Sequence, residues 1–598
     1  MSEAPQLPQN PQVPQDNQGK GIRPELRIVF ATVLSLLVIF GWMKVFGPKP
    51  ADQQSHGNKP AATGPATSGS QPSASASSGG NTPTSVTPAP APVAAPVAAK
   101  GDSQERTIVV ESDLYRIEFS NRGGVVKSWK LKKYTDDSKP PQVLDVVHTK
   151  DSQEVGGWPL SVALDDANLE NAANSALYVT SDHRNLTAPA DLNFSWSDGH
   201  LEVTKHFHFD ESYTAKVEVA AKYDGKPVIA GVSWLGGFGD LTVTNPRPVE
   251  TVNVVYNEGG KSTSLPYKKV DDWDKVARSV WWGGKDWTGI EDRYFAAAFL
   301  PEVNAPGGKL ETRYWKVWHP VQIDGKDQPE PIVQISTATN SPTNLRLFVG
   351  PKDYDLLKKM NPPLHSLVNF GWLEFISDPL FHGMKWLQKY IPNWGWAIVV
   401  MTLIINMLLF PLRISSYKTT LKMQRVAPEI KAIQDRYKKY SMRDPRKAEM
   451  NKEVMAIYAR EGINPVGGCF QMLVQMPIWI GLNTALRNAI ELRHAPWFSW
   501  IKDLSAKDPY YVLPFIMAVS MYLATKMTPM TTTDPQQQAM MKFMPISFAV
   551  MFVVFPISSG LAVYILTSSV IGIAQQWYLN RTHPITPANN KPAKKQKS

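Results

Sequence analysis

The chain has 598 residues, too many for one domain, with a formal net charge of +10 and 19% charged residues. The positive excess lies mainly in short segments beside apolar runs, where retention of charge in the cytoplasm explains it, so specific nucleic-acid binding is not expected. The only cysteine, Cys469, lies in an apolar run and reads as a small packing residue; an intrachain disulfide is excluded.

Residues 1–27 open with a stretch rich in Pro and Gln and read as a disordered cytoplasmic N-terminus. Arg23 and Arg27 precede the apolar run 28–46. Its end, Phe46-Gly47-Pro48, offers no small-x-small cleavage site, so the run reads as an uncleaved transmembrane anchor rather than a signal peptide. Residues 47–104, rich in Pro, Ala and Ser, read as a linker.

Residues 105–355 read as one β-rich, sandwich-like domain, which the anchor places outside the cytoplasm. TIVVESDLYRIEFSNRGGVVKSWKL alternates on both sides of Asn121-Arg122-Gly123-Gly124, a hairpin signature. LEVTKHFHFD, YTAKVEVAAKY, TVNVVYN, TRYWKVW and NLRLFVG continue the alternation. His206 and His208 share a strand face and could hold a metal with a third ligand; the preferred reading is a polar face with Phe207 and Phe209 inward. No metal, cofactor or catalytic cluster is expected, and the chain reads as a non-enzyme.

Residues 362–391 change to helical spacing and read as an amphipathic interfacial helix. Residues 395–578 then carry five apolar spans, at 395–412, 465–486, 510–527, 538–555 and about 558–578. Between Arg413 and Gly462 stand thirteen Lys or Arg against six Asp or Glu, a short segment that belongs in the cytoplasm. Within it, Pro428 suits the first turn of one helix, with Ile430, Ile433 and Tyr437 on a stripe. Asp444-Pro445 opens a second, with Met450, Val454 and Ile457 on its stripe and Gly462 as the stop. The expected result is a cytoplasmic helical hairpin over 413–462, with a basic face for anionic lipid or a ribosome. The tail 579–598 is basic and completes six spans with both termini in the cytoplasm.

An unpaired polar group in hydrocarbon costs several kcal/mol, so polar residues within these spans are the functional candidates. Thr402, Asn406 and Arg413 fall roughly on one helical face; Gln471 and Gln475 make a second pair; Ser568 stands in the last span. Interhelical hydrogen bonding explains isolated Ser and Thr, whereas Asn406 and Gln475 point to a hydrated groove open to cytoplasm and lipid.

INPVGGCFQMLVQMPIWIGL, LSAKDPYYVLPFIM and TDPQQQAMMKFMPISFAVMFVVFP resemble the YidC/Oxa/Alb family of membrane protein insertases. WLEFISDPLF, NRGGVVKSWKL and EDRYFAAAFLP are similar to its long Gram-negative form. The resemblance implies a polytopic α-helical membrane protein with six transmembrane helices, a five-helix insertase core and a large periplasmic all-β supersandwich. It implies insertion and folding of nascent membrane-protein clients in the bacterial inner membrane, alone or with the Sec translocon. The chain departs from the family where an arginine is usual, which here is Asn406; two expectations stand, that Arg413, two turns nearer the cytoplasm, supplies the charge, or that a wet groove suffices without it. Tyr564-Ile565 stands where a tyrosine pair is usual, making Tyr564 the remaining groove candidate. Two other readings are a small-solute transporter or channel, and a membrane-anchored periplasmic carbohydrate-binding module.

Overall fold

The computed structural model describes residues 98–583, apart from 181–184, 244–251, 277–279, 303–307, 324–325, 340, 441–443, 465–466, 529–542, 545, 549, 553 and 555–556. The expected N-terminus 1–27, the anchor 28–46, most of the linker, much of the span 538–555 and the tail beyond 583 lie outside the described residues.

Alternation in the sequence becomes alternation of burial. Along Leu201–Phe209 the residues Leu201, Val203, Lys205, Phe207 and Phe209 are buried, and the residues between them face outward. His206 and His208 therefore share the outer face, where both reach Asp191 Oδ1, at 3.1 and 2.9 Å. The hairpin signature also holds: Tyr115–Ser120 pairs antiparallel with Val125–Thr135. Gly123 has φ +73°, and a Cβ there would lie 2.5 Å from the Asn174 carbonyl oxygen, so only glycine fits.

The strands form three sheets. A five-stranded sheet holds Val143–Asp145, Val125–Thr135, Tyr115–Ser120, Thr107–Glu111 and Asn185–Thr187 in that order. A ten-stranded sheet has Thr343–Pro351 at its centre, between Phe295–Pro301 and Thr214–Tyr223. The third, of five strands, is built on the long hairpin Leu310–Ile323 and Lys326–Ala338. Aromatic side chains fill the space between the inner faces. Phe119, Phe194, Phe207 and Phe209 form one group, and Trp129 packs against Phe209 and Trp234. The linker ends earlier than expected, because the amides of Lys100 and Asp102 already donate to the carbonyls of Ser197 and Leu177.

Lys205 is the exception on the inner face. It is 1% exposed, and its Nζ donates to the carbonyls of Gly123, Gly124 and Leu160 at 2.7, 3.1 and 2.7 Å. Burial pushes its pKa down to about 7. Between that value and the unfolded-chain value near ~10.4 the unfolded state binds the extra proton, so stability rises with pH across this window. Guanidinium unfolding of the purified chain should therefore show stability rising above pH 7, with a slope approaching about 1.4 kcal/mol per pH unit that Lys205→Met removes. Equal pH slopes in the two proteins would contradict this origin.

After the β-rich part, a short helix at Tyr354–Lys358 leads into a helical part, in which the helices with described bounds are α1 (Glu374–Gln388), α2 (Trp394–Leu408), α3 (Phe410–Arg436), α4 (Arg446–Arg460), α5 (Gly467–Asn488), α6 (Val512–Met527) and α7 (Ser559–Thr582). Both parts belong to one compact unit, Ala91–Ser598. α7 packs on α2 and α6, and α5 on α1 and α3.

Three expectations need correction. The amphipathic segment 362–391 is two 3₁₀ turns followed by α1, not one helix. Positive-φ Gly371 opens the second turn. Phe381, Met384 and Leu387 of α1 are buried, while Trp372, Phe375 and Trp386 are exposed. The span expected over 395–412 breaks at Leu409 with a 54° bend into α3, because Pro411 in the first turn lacks the N–H that would continue the ladder. Pro428 does not begin a helix; it lies inside α3. Burial of Val426, Ile430 and Ile433 against Ile457 and Ile463 outweighs the lost backbone bond. The two predicted stripes do meet, with Tyr437, Met450 and Val454 at the edge of that cluster, and Gly462 follows α4 at φ +59°.

Among the described residues no single helix is long and apolar enough to cross a membrane alone; α2 and α3 together reach that length and hydropathy.

Candidate functional site

The polar candidates converge on one face of α7. Tyr564, Ser568, Gly572 and Gln575 recur at intervals of four, four and three, which stacks them along one side of the helix. Each meets a polar group from α2, α3 or α5.

At one end Gln475 Nε2 donates to the Tyr564 hydroxyl at 3.0 Å, joining α5 to α7. Gln471 lies one turn before Gln475 and is half-buried. Asn406 is 8% exposed: its Nδ2 donates to the Thr402 carbonyl at 2.8 Å and approaches Ser568 Oγ at 3.4 Å. The Ser568 hydroxyl is 3.5 Å from Asn406 Oδ1. Thr402, fully buried, donates to the Ile398 carbonyl at 2.6 Å, a bond within its own helix. A turn further along, Arg413 Nη1 donates to Gln575 Oε1 at 3.0 Å and Nη2 to the Gly572 carbonyl at 3.1 Å. A Cβ at Gly572 would lie 3.2 Å from Nη1, so the absent side chain admits the guanidinium.

Gln575 ties these together. Its Oε1 accepts from Arg413, and its Nε2 donates to the Asn406 carbonyl at 3.2 Å. That carbonyl is near the end of α2, where the bend frees acceptors from the helical ladder. The seam continues through Tyr417, whose hydroxyl donates to Asn580 Oδ1 at 2.8 Å, and Asn580 Nδ2 donates to the Met527 carbonyl at 3.0 Å.

The structure thus brings Asn406 to Ser568, Gln475 to Tyr564 and Arg413 to Gly572 and Gln575, and leaves Thr402 bonded within α2. Gln575, Asn580 and Tyr417 were absent from the sequence-based set. The paired amides Gln575-Gln576 in an apolar run were the available signal for the first of them. Chemically the seam is a row of neutral donors and acceptors with one guanidinium, and among the described residues Arg413 has no carboxylate partner. It offers recognition and local polarity.

The chain matches the family described as 60Kd inner membrane protein over residues 386–586, and the YidC periplasmic domain over residues 107–383. It is 33% identical to the membrane protein insertase YidC of Geobacter metallireducens over 93% of this chain and 98% of that protein. The corresponding protein of Syntrophus aciditrophicus is 31% identical over the same shares. A solved active YidC insertase is 20% identical over 81% of this chain and 96% of its own, with a TM-score of 0.34, too loose a superposition to add weight. With about a third of its residues identical along nearly the whole of these relatives, the chain belongs to the YidC family.

Proposed function

We propose that this chain is a membrane protein insertase and chaperone of the bacterial inner membrane, inserting nascent membrane proteins and helping them fold, alone or with the Sec translocon. The observation that carries this reading is the polar seam of α2, α3, α5 and α7, set within apolar helices in a chain matching insertases end to end. A client's polar stretch entering beside Arg413 and Asn406 meets donors and acceptors instead of hydrocarbon, which lowers its desolvation cost. Burial of the client's own apolar residues, worth about 25 cal/mol per Å², then drives release into lipid without a nucleotide.

In this reading the chain crosses the membrane six times, with both termini in the cytoplasm and the β-rich part in the periplasm. The helices α3 and α4 form the cytoplasmic hairpin, and Lys418, Lys422, Arg425 and Lys431 present charge to a ribosome or to anionic headgroups. The exposed Phe375 and Trp386 of α1, with Trp372 just before it, rest in the outer interface.

Reconstitution of the purified chain into liposomes with a small single-span client tests this directly. A protease-protected client fragment is the expected product. Failure to insert, with the protein shown to be folded by its melting transition, would sink the reading. Removal of residues 105–350 separates it from a carbohydrate-binding role of the β-rich part: much insertion activity should survive.

A further inference from the structure

Three side chains outside the seam meet where the β-rich part touches the loop between α5 and α6. Asp137 follows the strand Val125–Thr135, whereas His494 and Asp503 lie in that loop. One ligand-capable atom of each lies within 4.8 Å of the other two. His494 Nε2 is 2.6 Å from Asp137 Oδ1, and His494 Nδ1 is 3.2 Å from Thr135 Oγ1. Asp503 accepts the amides of Ser505 and Ala506 on Oδ1, at 2.7 and 3.3 Å, and among the described residues it has no cationic partner.

We propose that Asp137, His494 and Asp503 form a site for a divalent transition-metal cation of the Zn²⁺ class, which fastens the β-rich part to the α5–α6 loop.

The donor set is one imidazole and two carboxylates. It suits Zn²⁺ and its neighbours, since Ca²⁺ and Mg²⁺ take oxygen ligands in larger number. The two carboxylates neutralise the ion, and the exposed side of Asp137 leaves room for water at the fourth position. Thr135 supplies the outer support that metal-bound histidines require: with Nε2 on the metal, Nδ1–H donates to Oγ1. The 2.6 Å contact between His494 and Asp137 must open, because the ion stands about 2.0–2.2 Å from each ligand atom. Both side chains are about one-third exposed and free to do so.

Spacing could not reveal this site, since Asp137 and His494 are 357 residues apart. The competing site is the pair His206 and His208 around Asp191.

The test uses the full, untagged chain in detergent, with Co²⁺ as a visible probe and Zn²⁺ as competitor. The expected result is one equivalent of Co²⁺ absorbing in the visible, displaced by Zn²⁺. A melting midpoint several degrees higher in Zn²⁺ than in EDTA should accompany it. His494→Gln and Asp503→Asn should lose both effects, and His206→Gln/His208→Gln should keep them. Asp503→Asn decides if His494→Gln does not fold, because an asparagine oxygen still accepts from Ser505 and Ala506. No bound Co²⁺, or binding that survives Asp503→Asn and disappears with His206 and His208, overturns the proposal.

Discussion

Arg413→Ala should lower insertion of a client with an acidic translocated segment by about tenfold or more, while Asn406→Leu should cost much less. The two residues are seven apart in sequence and meet α7 at points one turn apart, Ser568 and Gly572, but they do different work. Asn406 spends its amide on the Thr402 carbonyl and on Ser568, contacts of the kind that hold helices together at about 0.6 kcal/mol each. Among the described residues of the seam Arg413 carries the only formal charge, and it is held by two neutral acceptors, Gly572 O and Gln575 Oε1. Hydrogen bonds to a charged group contribute about 1.5–3 kcal/mol, and a loss of about 1.4 kcal/mol of interaction with the client already gives tenfold. Arg413→Lys should fall between, because an ammonium keeps the charge without the two-point fork. Client insertion into liposomes measures all three, with the melting midpoint as a control for folding. Normal insertion by Arg413→Ala together with failure of Asn406→Leu would show that hydration, not charge, is the working feature.

That contrast also marks how far the sequence could be read. Arg413 and Asn406 were visible because a charge and an amide stand out in an apolar span. The geometry that separates them was not. The bend at Leu409 re-aims α3, and the partners Gly572 and Gln575 come from a helix some 160 residues later, so no local pattern specifies them. Gln575 was legible in principle, as one of two adjacent amides in an apolar run. Pro428 was misread because its local rule, first turn of a helix, was overridden by the burial of Val426, Ile430 and Ile433 on either side of it.

The strands show the same division. In Leu201–Phe209 the two-residue period fixes which side chains face inward, so Phe207, Phe209 and the outward histidines follow directly. The same period places Lys205 inward, where an apolar residue is expected, and only the three carbonyls brought by Gly123, Gly124 and Leu160 explain its tolerance. Strand order is non-local: Thr343–Pro351 pairs with strands beginning at Thr214 and Phe295, which alternation cannot choose among.

Arg493→Met should destabilise the chain by about 3–5 kcal/mol. Arg493, in the α5–α6 loop, pairs with Asp240 of the β-rich part, and the two side chains are 3% and 2% exposed. The guanidinium also lies over the Phe295 ring, 5.5 Å from its centroid. Asp240 is locked in place on its other side: Oδ1 accepts from the Thr242 amide and hydroxyl at 2.8 and 2.6 Å, and its own amide donates to Asp292 Oδ2 at 2.9 Å. It cannot turn to water when its partner is removed. The cost is therefore that of a carboxylate stranded in the interior, larger than the net worth of the pair. Two consequences separate this account from a simple loss of packing. Asp240→Asn in the Arg493→Met background should recover much of the stability, because a neutral amide keeps the Thr242 bonds without the stranded charge. Limited proteolysis of Arg493→Met should cut between the β-rich part and α1 faster than in the unsubstituted chain, since this pair joins the two. A double variant no more stable than Arg493→Met, or an unchanged rate of cleavage, would mean that the pair is incidental to how the β-rich part is held on the helical core.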